Sequence, residues 1–244
     1  MRIALMVSRM FFRAIGFVIK IGWYGKHDKY TEEQRYSLVQ RATRQANKAG
    51  RVTIAAFGTE NIPKENGFIM FPNHQGMYDV LGLIESCPKP FGIVIKKEAG
   101  NIILLKQVIS CLKGQVIDRD DIRQGLKVIN QMTKEVKEGR NYVIFAEGTR
   151  TRNKNELLEF KGGSFKAAMN ARCPIVPIAL IDSYKPFDEN TIQPVTVQVH
   201  YLPPIPYEEY KDMKSVEIAK MVRARIQEVI TKYEGKNNEI GRTD

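Results

Sequence analysis

From residue 51 onward, short apolar runs alternate with stretches of helical periodicity, and this alternation constrains the fold more than any other feature. Apolar runs at 51–57, 67–72, 91–96, 114–118, 141–146, 175–181 and 194–202 read as strands. The segments 79–87, 99–112, 121–138, 163–172 and 214–233 read as helices. Strand and helix in repeated succession build an α/β domain: a mostly parallel central sheet with helices on both faces. The domain is expected over 51–234, followed by a loose polar tail at 235–244.

In such a sheet, ligands gather beyond the carboxyl ends of the strands. Three polar clusters fall there: Asn73 to Asp79, Asp118 to Asp121, and Glu147 to Asn153. They should face one crevice.

The first cluster holds His74 and Asp79, five residues apart, at a strand-to-helix turn that Gly76 makes tight. Asp79 can accept a hydrogen bond from one ring nitrogen and leave the other as a base. This is the base-and-orienter half of a catalytic triad. The nucleophile is missing: no GxSxG occurs and no Ser or Cys is nominated by its spacing. The substrate then supplies the hydroxyl, which favours group transfer to an alcohol over hydrolysis. The H-x4-D spacing alone is short and common, and taken by itself it is better accounted for by a simple helix cap at Asp79 with His74 an ordinary turn residue.

The other clusters suit an anion. Gly148 lets the backbone approach a ligand, Thr149 offers a hydroxyl, and Arg150 can grip a phosphate through two parallel hydrogen bonds. Glu147 can hold Arg150 or a ligand hydroxyl. Arg119 is the matching cation from the preceding strand end, and Lys161 stands just before a helix N-terminus.

Upstream, residues 1–50 carry ten Lys and Arg against three acids, most of the chain's formal charge of +11. The longest uncharged run in 3–24 is six residues, against the roughly 20 that a spanning helix needs. Arg2, Arg9, Arg13 and Lys20 fall within about 40° of one another on a helix, and the rest of that cylinder is largely apolar. These four are the candidate membrane contacts of a helix lying in the headgroup region. A helix buried against the domain with one wet edge is the plainer reading of the same pattern. A second amphipathic helix, opened by Thr31 and Gln34 and closed by Gly50, would complete a membrane-interface segment over 1–50. Three dispersed cysteines and three dispersed histidines give no disulfide framework and no zinc site.

Several blocks in order are similar to the 1-acylglycerol-3-phosphate acyltransferase family, the PlsC-like glycerolipid acyltransferases. Asn73-His74-Gln75-Gly76-Met77-Tyr78-Asp79 resembles its NHxxxxD block, and Gly114 to Arg119 its second block. Phe145-Ala146-Glu147-Gly148-Thr149-Arg150-Thr151 resembles its FPEGTRS-type block, with Ala146 and Thr151 departing from it. Ile175-Val176-Pro177-Ile178 resembles its fourth block, Gly58 to Pro63 its GxENxP, and Lys96-Lys97-Glu98 its KKE.

The resemblance implies an acyl thioester donor on CoA or acyl carrier protein, and no cofactor or metal. It implies a lysophosphatidate acceptor deprotonated by His74, oriented by Asp79. The acceptor phosphate would be bound by Arg119 and Arg150, with Glu147, Gly148 and Thr149 in that pocket and Lys97 and Lys161 as further substrate contacts. The enzyme would sit peripherally on the cytoplasmic face of an anionic membrane. Two alternatives keep part of this reading. One is the same chemistry on glycerol 3-phosphate, another lysophospholipid or a lyso-aminolipid. The other is a non-catalytic anion-binding protein; nucleic acid is disfavoured because aromatics do not interleave with the basic clusters.

Overall fold

Each of the seven apolar runs becomes a strand in the computed structural model, which describes residues 1–97, 103–118 and 121–240. The strands are β1 (Val52–Phe57), β2 (Ile69–Pro72), β3 (Gly92–Lys96), β4 (Gln115–Ile117), β5 (Tyr142–Val143), β6 (Ile175–Ile181) and β7 (Val195–Tyr201). They form one sheet in the order β1-β7-β6-β2-β5-β3-β4. The five strands from β6 to β4 run parallel. The sheet reverses once, where β7 pairs antiparallel with β6 and carries β1 parallel to itself.

Nine helices fill the connections among the described residues: α1 (Arg2–Lys26), α2 (Glu32–Ala49), α3 (Asp79–Ser86), α4 (Ile103–Cys111), α5 (Ile122–Lys137), α6 (Lys166–Ala171), α7 (Lys185–Asp188), α8 (Tyr207–Tyr210) and α9 (Ser215–Ile240). Their ends follow local chemistry. Thr31 and Gln34 exchange the two hydrogen bonds of a capping box at the start of α2. The Asp121 side chain accepts from the Gln124 N–H at the start of α5.

Two apolar layers sandwich the sheet. On one face α5, α6 and α9 cover Phe71, Ile144, Ile175 and Ala179 through Val128, Met132, Ala168, Val222 and Ile226. On the other, α2, α3 and α4 cover Phe68, Met70, Ile93, Val143 and Val176. Ile21, Tyr36, Leu38 and Val39 of the first two helices belong to this second layer. Residues 1–50 are therefore packed into the domain, with α1 lying against α2 and α4.

α9 runs on to Ile240, into the tail expected at 235–244, of which residues 241–244 lie outside the described residues. One expectation needs correction. Arg2 is not a membrane contact. It is 1% exposed, and its guanidinium donates to the carbonyls of Gly50 (2.6 Å), Gln193 (2.8 Å) and Pro186 (3.2 Å). Helical periodicity placed it on the basic stripe, but the chain entering β1 and the short helix α7 close over that end.

The rest of α1 has two exposed faces. Arg9, Arg13 and Lys20 are exposed, Arg9 with one hydrogen bond to the Ala49 carbonyl. A row of large apolar side chains at intervals of four, Ile3, Val7, Phe11, Ile15, Ile19 and Trp23, stands in solvent with Phe12 beside it, 86% exposed. No helix among the described residues is long and apolar enough to cross a membrane.

Candidate active site

The parallel strands bring their carboxyl ends to one edge, and β2, the central strand between β5 and β6, delivers His74 there. Pro72 ends the strand. The chain then turns within six residues into α3, whose first residue is Asp79. Gly76 permits this turn because a β-carbon there would come within 3.3 Å of the Tyr184 backbone.

His74 Nδ1 lies 2.6 Å from Asp79 Oδ2. The same Oδ2 accepts the Gln75 N–H at 2.7 Å, and both carboxylate oxygens lie 3.1 Å from the Gly76 N–H. Asp79 is fully buried, and four contacts fix its orientation. With acceptor groups crowded by N–H donors on Oδ2, Nδ1 is the nitrogen that carries its proton toward Asp79. Nε2 has no hydrogen-bond partner among the described residues, and the side chain is 23% exposed. The imidazole rests against the Phe145 ring, 4.3 Å between centroids. An oriented imidazole with one open basic nitrogen can take a proton from an alcohol.

The third cluster packs directly against this turn. The Thr151 N–H donates to the His74 carbonyl at 2.9 Å. Glu147, expected among the phosphate-binding residues, faces inward instead. Its Oε1 accepts the His74 N–H at 2.8 Å, its Oε2 accepts the Leu158 N–H at 3.1 Å, and it is 2% exposed. Both oxygens are committed to backbone N–H groups, one of them that of His74. Burial pushes its carboxyl above the usual range, and the two N–H donors partly offset that.

Gly148 adopts φ of +78°, a left-handed turn that aims the following residues outward. Thr149 is exposed, and Arg150 is partly exposed with Nη1 3.6 Å from Asp188 Oδ1 of α7. Lys161 is exposed, and its backbone N–H meets the Ala146 carbonyl. Lys97 is exposed and pairs with Asp118 at 2.9 Å. These two, with Val116, Asp121 and Gln124, line a recess of ≈ 290 Å³ beyond β3 and β4. Arg119 lies outside the described residues.

Three amides that the sequence did not nominate brace the turn from beneath. Asn73 is fully buried and bonds both ways to the backbone of Leu180 on β6. Gln75 accepts the Ser183 N–H and donates to Asn155, which in turn accepts the Asp182 N–H. The bonds of Asn73 and Gln75 span 80 to 108 residues of chain. The one available signal was two amide side chains flanking His74 after an otherwise apolar strand, where burial demands a partner.

A family model described as Acyltransferase matches residues 53–181. A 1-acyl-sn-glycerol-3-phosphate acyltransferase of Borreliella burgdorferi is 29% identical over 177 residues, covering 72% of this chain and 70% of the relative. A probable 1-acyl-sn-glycerol-3-phosphate acyltransferase of Mycoplasma pneumoniae is 30% identical, covering 64% and 59%. The alpha form from Bos taurus is 30% identical over 186 residues, covering 70% and 61%. The chain thus spans 59 to 70% of the length of these three relatives. Among solved structures, the 1-acyl-sn-glycerophosphate (LPA) acyltransferase PlsC from Thermotoga maritima shares the fold. Its TM-score is 0.77 at 19% identity, over 96% of this chain and 98% of that one.

Proposed function

The chain belongs to the acyltransferase family, and from that premise we propose that it is a 1-acyl-sn-glycerol-3-phosphate acyltransferase, making phosphatidic acid for phospholipid synthesis. The observation that carries the mechanism is the His74 Nδ1–Asp79 contact with Nε2 left open beside a cationic loop. Nε2 takes the proton from the free hydroxyl of the acceptor. The alkoxide oxygen attacks the carbonyl carbon of an acyl thioester, on CoA or acyl carrier protein. The C–S bond then breaks, and the proton held by His74 goes to the departing thiolate. Asp79 stabilises the imidazolium between these two transfers. No cofactor takes part in this scheme.

Arg150 and the Gly148–Thr149 turn receive the acceptor phosphate, joined by Arg119 from the second block. Lys97 and Lys161 provide further positive charge at the rim. Glu147 supports this set from behind, by holding the His74 backbone. A guanidinium suits this task because it offers parallel donors to phosphate oxygens.

Attachment is peripheral, on the cytoplasmic face of an anionic membrane. What supports it is the exposed apolar row of α1 with Arg9, Arg13 and Lys20 on the same helix. The three cysteines are unpaired and buried, as a reducing compartment allows.

The deciding assay is mass-spectrometric detection of phosphatidate from lysophosphatidate and acyl thioesters of graded chain length. His74→Ala should abolish turnover while the circular dichroism spectrum and melting transition persist. A folded His74→Ala enzyme running at full rate would end the proposal. Parallel runs with glycerol 3-phosphate and with phosphate-free lysolipids settle the acceptor.

A further inference from the structure

We propose that Asp188 is an internal anion that holds Arg150 while the acceptor site is empty, and that the acceptor phosphate takes Arg150 from it. The inference rests on Arg150 being a phosphate ligand.

The chain reaches Asp188 by a constrained path. After β6, Asp182 adopts φ of +62°, and the backbone winds into α7, only four residues long. The Asp188 N–H closes this turn on the Tyr184 carbonyl at 3.0 Å. Arg2 grips the Pro186 carbonyl from the other side at 3.2 Å. The Asp188 carboxylate is thereby delivered to the catalytic turn: Oδ2 lies 3.6 Å from where a β-carbon on Gly76 would stand. Its Oδ1 lies 3.6 Å from Arg150 Nη1. Arg150 is the only cation within ion-pair range of Asp188 among the described residues, since neighbouring Lys185 is engaged by Asp182 at 2.8 Å.

The geometry is that of a weak, replaceable partner. A separation of 3.6 Å is too long for a hydrogen bond, so the attraction is coulombic only. Both side chains are partly exposed, which weakens it further. A phosphate carries more charge and can accept two parallel hydrogen bonds from the guanidinium, so it outcompetes the carboxylate. Once bound, it also stands beside a like charge. Asp188 must swing outward, and its return helps to expel the product, which keeps the same phosphate. Asp188 therefore keeps Arg150 pointed at the crevice and raises the threshold for any anion to occupy it. An anion bound through Arg150 alone meets this threshold in full; a lysolipid offsets it with its acyl chain.

The test is Asp188→Asn, assayed for acceptor KM, kcat and inhibition by inorganic phosphate, alone and combined with Arg150→Ala. The expected result is a fall of roughly three- to tenfold in KM, with Ki for phosphate falling in parallel and the melting temperature unchanged. Both effects should be clearly smaller in the Arg150→Ala background, where only the like-charge repulsion between Asp188 and the phosphate is left to relieve. Unchanged KM and Ki, or equal falls with Arg150 removed, would overturn the role of Asp188. If Arg150→Ala alone leaves KM unaltered, it is the reading of Arg150 as phosphate ligand that fails.

Discussion

Asp79→Asn changes one atom and separates the two services that a carboxylate renders to a catalytic histidine. In the native site Asp79 Oδ2 faces three donors, His74 Nδ1, Gln75 N–H and Gly76 N–H, at 2.6, 2.7 and 3.1 Å. An asparagine must place its oxygen there, because an amide NH2 in that position would confront two backbone donors. The NH2 then replaces Oδ1 and faces the Gly76 N–H, at about 1–2 kcal/mol of stability. The Nδ1–H tautomer survives this exchange, but the negative charge does not. Unit charges about 4 Å apart at an effective dielectric near 20 attract by about 4 kcal/mol. The amide dipole recovers part of that, leaving a loss of roughly 3 kcal/mol in stabilising the imidazolium. The expected outcome is a kcat lower by about 10² to 10³ with acceptor KM unchanged. Initial rates at saturating lysophosphatidate and thioester measure it, and thermal melting monitors the fold. The double variant with His74→Ala should be no slower than His74→Ala alone. A variant that keeps more than a tenth of the native rate, or slows an enzyme already lacking His74, would refute the coupling.

Glu147→Gln places an NH2 group against either the His74 or the Leu158 N–H, so kcat should fall while acceptor KM changes little; a KM effect alone would restore Glu147 to the phosphate pocket. His200 is packed between Phe57 and Tyr233, and burial pushes its pKa down to about 4 from an ordinary 6.5. A depressed folded-state pKa contributes stability that is present above pH 6.5 and lost as pH falls through about 4, at most about 3 kcal/mol. His200→Phe keeps the stack, and its melting temperature should decline less than the native protein's over that window. Arg13→Glu with Lys20→Glu should leave melting unchanged yet weaken co-sedimentation with anionic vesicles, an effect that added salt should imitate in the native protein.

The strands and helices were legible because their apolar periods are local. β6 was readable to the residue, and most other elements to within two or three. The His74–Asp79 contact was legible too, since a span of five residues at a strand-to-helix turn leaves few arrangements. What escaped was everything set by long-range closure. Asn73 and Gln75 find partners more than 100 residues away, and nothing local to them names Leu180 or Ser183. Arg2 shares its helical angle with Arg9 and Arg13, but periodicity gives an angle and not the identity of what covers it. Glu147 carries the right charge to hold a cation, yet two backbone N–H groups reach it first. The short helix α7 has too few residues to show a period, and with it Asp188 stayed hidden.

The burial of Arg2 makes α1 a rigid outrigger rather than a tether. Three carbonyls clamp the end of the helix nearest the catalytic turn, so the helix cannot swing away from the body without stripping a guanidinium of all its partners. The angle between the exposed apolar row and the crevice is therefore a fixed dimension of the molecule. On a lipid surface this allows one docked attitude. Under the proposed attachment and acceptor, the search for the acceptor reduces to lateral diffusion in the plane of the leaflet, with the crevice held at a constant height above it.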